Sequence, residues 1–160
     1  MTTKSKGTIT FSYTTADLFN DVGLVSAFMT KNLVNENGSV MDEFIITDDE
    51  RELFDVCVKQ TLPNIFDEML KMTTCVKGYN NDGTNITFSV TDNNAYNENA
   101  LPLVEDTLFD CLKYGVLSEF YSICTNGALH AIVRGKYEEM LRLLNQRLYQ
   151  LKKRSISSLY

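Results

Sequence analysis

The chain has 160 residues, 44% of them hydrophobic and 22% charged, with a net charge of −6. That length and balance fit one domain that buries its own core without disulfide staples, and the acidic sum argues against a general nucleic-acid binder. No run approaches the roughly 18 apolar residues of a membrane-spanning helix, and the polar, alternating start after Met-Thr-Thr-Lys-Ser-Lys is unlike a secretory leader.

From the N-terminus, Thr8 to Tyr13 alternates, with Ile9, Phe11 and Tyr13 on one side and Thr8, Thr10 and Ser12 on the other. This pattern is a short strand or an extended arm over residues 1–14. Thr14 or Thr15 can cap a first helix reaching about Asn32, with Leu18, Val22, Val25, Met29 and Leu33 at helical spacing. Gly23 weakens that helix. Asn35 to Ser39 is a turn.

Thr47-Asp48-Asp49-Glu50 is a capping box, in which Thr47 and Glu50 can satisfy each other's backbone N–H groups. A helical stripe follows through Leu53, Phe54, Cys57, Val58, Leu62, Ile65, Phe66, Met69 and Leu70. Pro63 lies inside it and predicts a kink or break near Thr61–Leu62. Segments 73–79 and 84–91 read as two strands of a β-hairpin around Asn80-Asn81-Asp82-Gly83, residues that tolerate left-handed turn geometry. Ile86, Phe88 and Val90 share its apolar face. An isolated hairpin is marginal in water, so it must pack on helices or add to a neighbour's sheet edge.

Residues 92–99 are a polar loop. Leu101-Pro102 opens a third helix with Leu101, Val104, Leu108, Cys111, Leu112, Phe120 and Tyr121 inward, and Gly127 is placed to end it. The fourth helix runs from about Ala128 to Arg154, with Leu129, Val133, Tyr137, Met140, Leu144, Leu148 and Leu151 at near-heptad spacing. Residues 155–160 form a tail ending in Tyr160. The fold class expected is mainly α with a small β part: a helical bundle with an inserted β-hairpin and extended N- and C-terminal arms. It is one domain over residues 1–160, with helices in 15–72, the hairpin in 73–91 and two long helices in 101–154.

Chemistry is sparse along this order. His130 is the sole histidine, so any Ser-His-Asp or Cys-His relay would have to use it; early in a helix beside Leu129, it reads as structural. Cys57, Cys75, Cys111 and Cys124 sit among apolar residues with no paired spacing, as reduced, mostly buried thiols of an intracellular product. One histidine and no ligand spacing give no metal site, and no glycine-rich phosphate loop is present, so neither cofactor nor catalytic residue is expected. The acid pairs Asp42/Glu43, Asp48/Asp49, Asp67/Glu68, Glu105/Asp106 and Glu138/Glu139 are adjacent in sequence, and helical neighbours point in different directions. An enzyme would instead need carboxylates converging in a pocket, around Asp67, Glu68 or Glu105.

Charge is segregated. Residues 1–127 hold 19 acids and 8 bases, whereas residues 128–160 hold two acids and seven bases. Such polarity suits head-to-tail contact between identical subunits, or a solvated helix face. Arg142, Arg147, Lys152, Lys153 and Arg154 form the basic cluster, where proximity to DNA is at most non-specific. Tyr79 and Tyr96, in the hairpin and the following loop, are natural interface anchors. With Asp82 and Gly83 at the turn and Tyr160 in the tail, they complete the candidate contact residues.

The segments TDDERELFDVCVKQTLPNIFDEMLKM, then NNDG, then LPLVEDTLFDCLKYGVLSEFY and a basic last helix resemble the small neck proteins of tailed bacteriophages. These are head–tail connector, adaptor or ring proteins, of the kind found in crAss-like phages of Bacteroides-type hosts. The resemblance covers about residues 44–155 and is one of layout; no functional residue is transferred by it. It implies a non-enzymatic virion protein assembled in the host cytoplasm. Copies would form a ring between portal and tail, with portal and tail proteins as partners and no membrane. The alternative is a small intracellular adaptor or regulatory protein binding a single protein partner.

Overall fold

The computed structural model describes residues 1–5, 7–31, 44–72, 76–91 and 97–151. Two strands, β1 (Thr2–Ser5) and β2 (Thr8–Thr14), turn about Gly7. Helix α1 (Thr15–Thr30) follows at once, its first turn capped by Thr14 Oγ1, which accepts from the Asp17 N–H at 3.0 Å. After the undescribed residues 32–43, a 3-10 turn at Asp48–Glu50 leads into α2 (Arg51–Met72). Strands β3 (Val76–Asn81) and β4 (Asn85–Thr91) form the expected hairpin. A second 3-10 turn, Glu98–Ala100, precedes α3 (Leu101–Ile123) and α4 (Gly127–Leu151). The architecture is mainly α with a small β part, as the sequence suggested.

The N-terminal segment is not an extended arm. Its strands join the hairpin in one antiparallel sheet of order β1-β2-β4-β3. Seven consecutive pairs join β2 to β4, among them Ile9 with Val90, Phe11 with Phe88 and Tyr13 with Ile86. All six of these side chains are buried against the helices. The hairpin alone could bury only one strand's apolar face; β2 doubles that face and makes the sheet stable. The opposite face is lined by hydroxyls, and Thr10 lies across from Ser89 at 3.4 Å between oxygens.

Helix α3 is the hub. It packs on α1, α2 and α4, and it buries residues around much of its circumference, as a central helix must. Where α2, α3 and α4 meet, Gly115 replaces a side chain, because a Cβ there would clash with the Thr61 methyl and stand 3.0 Å from the Tyr137 ring.

Three local expectations are corrected. Of the kink or break expected near Thr61–Leu62, the break does not occur, since α2 runs on through Pro63; Pro63 is exposed, so the Lys59 carbonyl it deprives of a donor can turn to water. Gly127 does not end α3 but begins α4. The left-handed residue between the two helices is Thr125, with φ of 55°, and Asn126 caps α4 through Oδ1, which accepts from the Leu129 N–H at 3.0 Å. The buried stripe of α1 is Leu18, Phe19, Val22, Ser26 and Thr30, with Val25 and Met29 only half-buried. Two hydroxyls can occupy the core because each is satisfied. The Thr30 hydroxyl donates to the Ser26 carbonyl at 2.9 Å, and Ser26 Oγ donates to the Gly23 carbonyl at 2.8 Å.

Candidate functional site

The rotation of α1 has a consequence on its other side. With Ser26 and Thr30 turned inward, Leu24 and Phe28, one turn apart, project outward at 70% and 78% exposure. Across from them, α4 turns Leu129, Val133 and Tyr137 into the core and leaves Ile132 60% exposed. Helices α1 and α4 both lie on α3, and Tyr114 of α3 contributes to the surface between them. The result is an open groove of about 410 Å³ lined by Leu24, Val25, Phe28, Met29, Tyr114, Ile132 and Lys136. Each large apolar side chain left in water forgoes about 1.5–3 kcal/mol of burial energy. Contiguous exposure of this kind marks an interaction surface.

The groove is anchored by charge rather than built from it. Lys113 bridges the helices, with Nζ 2.7 Å from Asp110 and 3.8 Å from Asp21 of α1, and lies over the Tyr114 ring at 5.5 Å. Lys136, the charged residue of the lining, reaches Glu139 at 3.2 Å on its own helix. Lys31 stands three residues beyond Phe28, exposed and on the same side of α1. The lining is therefore apolar, with Lys136 as its charged residue.

A second groove on the other flank of α1 is lined by Phe19, Asn20, Gly23, Leu24, Ile46, Thr47 and Asp48. Here the chain returning to α2 is pinned, the Ile46 N–H donating to Ser26 Oγ at 3.0 Å. Gly23 permits that approach, since its Cβ would lie 3.0 Å from the Ile46 carbonyl. The capping box of Thr47 and Glu50 is present, with the Thr47 N–H donating to Glu50 Oε2 at 2.9 Å.

The residues singled out from sequence are dispersed. Tyr79, on the β3 edge strand, packs its ring 5.2 Å from Phe66 and 6.4 Å from Phe88 and is 39% exposed. Asp82 and Gly83 build the turn. Asp82 Oδ1 accepts from the N–H groups of Asn85 and Thr84 at 2.7 and 2.9 Å, and Gly83 takes a φ of 88°. Those backbone donors, Asn85 first, hold the Asp82 carboxyl below its ordinary range. Arg142 is exposed, whereas Arg147, five residues on and turned well away on the helix, is half-buried, its Nη1 3.5 Å from Gln150 Oε1. Tyr96, Lys152, Lys153, Arg154 and Tyr160 lie outside the described residues.

The residues weighed for chemistry have local partners. Glu68 is held by Lys71 on α2 and by Asn145 of α4, and Glu105 by the N-terminal ammonium and the Thr2 hydroxyl. Burial pushes the Cys57 thiol up to about 12, with Glu119 adding to the effect, and Cys111 higher still. Neither thiol is a nucleophile at neutral pH. Neither groove brings two carboxylates together. Among the described residues, no group of three or more His, Cys, Asp and Glu is placed to hold a metal, and no helix is long and apolar enough to cross a membrane.

Sequence reasoning missed the groove. Its signal was present in Leu24 and Phe28, an apolar pair four residues apart that belongs to neither end of the inward stripe. No protein-family model, curated protein or solved structure matches the chain.

Proposed function

We propose that this chain is a non-enzymatic structural subunit of a tailed-phage virion, many copies of which form a ring in the neck between portal and tail. The observation that carries the reading is the groove between α1 and α4, an apolar surface too exposed for a chain that works alone. The segregation of charge along the chain supports it, because a head-to-tail ring needs two unlike faces on each subunit. So does the position of β3 at one edge of the sheet, where a neighbour's strand can add. A subunit so placed lies near the packaged DNA without reading its sequence, and exposed Arg142 suits such proximity.

The test is co-sedimentation of the purified chain with the isolated portal ring of the same virus. Stoichiometric migration with the portal is expected. A chain that keeps its own mass beside the portal removes the neck reading in favour of the second one, an adaptor that takes one helix of one protein partner. The groove favours that alternative to the extent that its two helical flanks match a single amphipathic helix.

A further inference from the structure

The groove has a counterpart on the same chain. The outer face of α2 carries three exposed apolar residues, Val56, Pro63 and Leu70, each seven residues from the next. Seven residues return a helix to nearly the same face, so the three form one narrow outward seam, with successive members about 10 Å apart. Val56 and Leu70 are 44% and 42% exposed. Among the described residues α2 packs on α3, α4 and β3, and its Phe54 meets Phe19 of α1 edge-on at 5.0 Å.

The two surfaces differ in charge. Glu52 and Asp55, both exposed, stand four residues and one residue before Val56, and Asp48, Asp49 and Glu50 form the turn that precedes the helix. Arg51, among them, is turned away over the Phe19 ring at 4.2 Å. Of the two lysines farther along the helix, Lys71 is paired with Glu68, and Lys59 is exposed on the side of the seam, three residues after Val56 and four before Pro63. The charged residue of the groove lining is Lys136, which also reaches Glu139 at 3.2 Å, and Lys31 is exposed three residues beyond Phe28. Along α1 the groove wall runs from Leu24 to Met29, about 8 Å.

We infer that the groove between α1 and α4 takes the acidic first half of α2, centred on Val56 and Pro63, from a second copy of this chain. The inference rests on the ring reading and specifies its subunit contact. The two surfaces are different, so the contact is heterologous and leaves one groove and one seam open at the ends of every unclosed assembly. Repeated with a rotation that closes, it forms the ring. A self-complementary pairing of two grooves would stop at a dimer, and it would also set Lys136 and Lys31 against their own copies.

The test uses two full-length variants, Phe28→Glu to disable the groove and Val56→Lys to disable the seam, with Leu24→Lys and Pro63→Lys as a second pair should either fail to fold. Both positions of the first pair are exposed enough for the variants to melt as the wild type does. Mass is then measured by light scattering for the wild type, each variant and their equimolar mixture. The expected result is an assembling wild type, two monomeric variants, and a mixture that forms a one-to-one dimer and grows no further. Variants that assemble like the wild type overturn this contact and leave ring formation standing. Monomeric variants whose mixture stays monomeric also overturn it, because the interface is then self-complementary. A wild type that is monomeric both alone and beside the portal overturns the contact and the ring reading together.

Discussion

Gly115 occupies the point where α2, α3 and α4 meet, and the space for a methyl group there is already filled by Thr61 and Tyr137. Gly115→Ala should therefore destabilise the chain by about 1–3 kcal/mol through overpacking, despite the roughly 1 kcal/mol that alanine gains in helix propensity. Chemical denaturation measures it, and an unchanged or raised midpoint would contradict the packing described. Glu105 carries a pH dependence of definite sign. Burial raises its pKa, but the N-terminal ammonium and the Thr2 hydroxyl outweigh burial and hold the carboxyl below its ordinary range. A depressed carboxylate contributes stability above its unfolded pKa, near 4.3, and loses it as pH falls through the folded value. The melting temperature of the wild type should exceed that of Glu105→Gln at neutral pH, and the difference should close as pH drops below about 4. A difference that stays constant to pH 3 would assign it to shape rather than charge. At this scale the sequence showed the Thr47–Glu50 box and the Asn-Asp-Gly turn outright, because both are local. It hid the role of Gly23, which depends on a carbonyl 23 residues downstream.

Among the elements, α2 holds the clearest conflict between local preference and fold. Proline in a helix interior costs about 3 kcal/mol, yet α2 continues through Pro63 because Phe54, Cys57, Leu62, Ile65 and Met69 are buried on both sides of it. Tertiary packing outweighs the local break that the sequence predicts. Pro63→Ala should then stabilise the isolated chain by about 1–3 kcal/mol, read as a higher melting temperature; a lower one would mean that the ring of Pro63 is needed where it stands. The four helices were legible from their apolar spacing, and so was the β3–β4 hairpin from its turn. The place of β1 and β2 was not, since pairing Phe11 with Phe88 joins residues 77 apart and leaves no periodic trace. The groove was illegible for a related reason. A shift of one residue in the buried stripe of α1, from Val25 and Met29 to Ser26 and Thr30, decides whether Leu24 and Phe28 face the core or water. Apolar periodicity alone favours the wrong choice.

As a whole, the molecule combines a core built around α3 with two exposed surfaces among the described residues, an apolar groove with Lys136 in its lining and a narrow apolar seam on α2 that follows the acidic turn. The proposed ring would bury both surfaces, and subunit contact is the role proposed for them. Electrostatic attraction between the seam and the groove rim should make that assembly weaken as salt rises, because exposed charges are screened beyond about 8–10 Å at physiological ionic strength. The most direct measurement is the absolute mass of the wild-type chain by sedimentation velocity, at two protein concentrations and in low and high salt. The account expects species larger than the monomer that grow with concentration and shrink with added salt. A single monomeric species across all four conditions would contradict assembly by the chain itself.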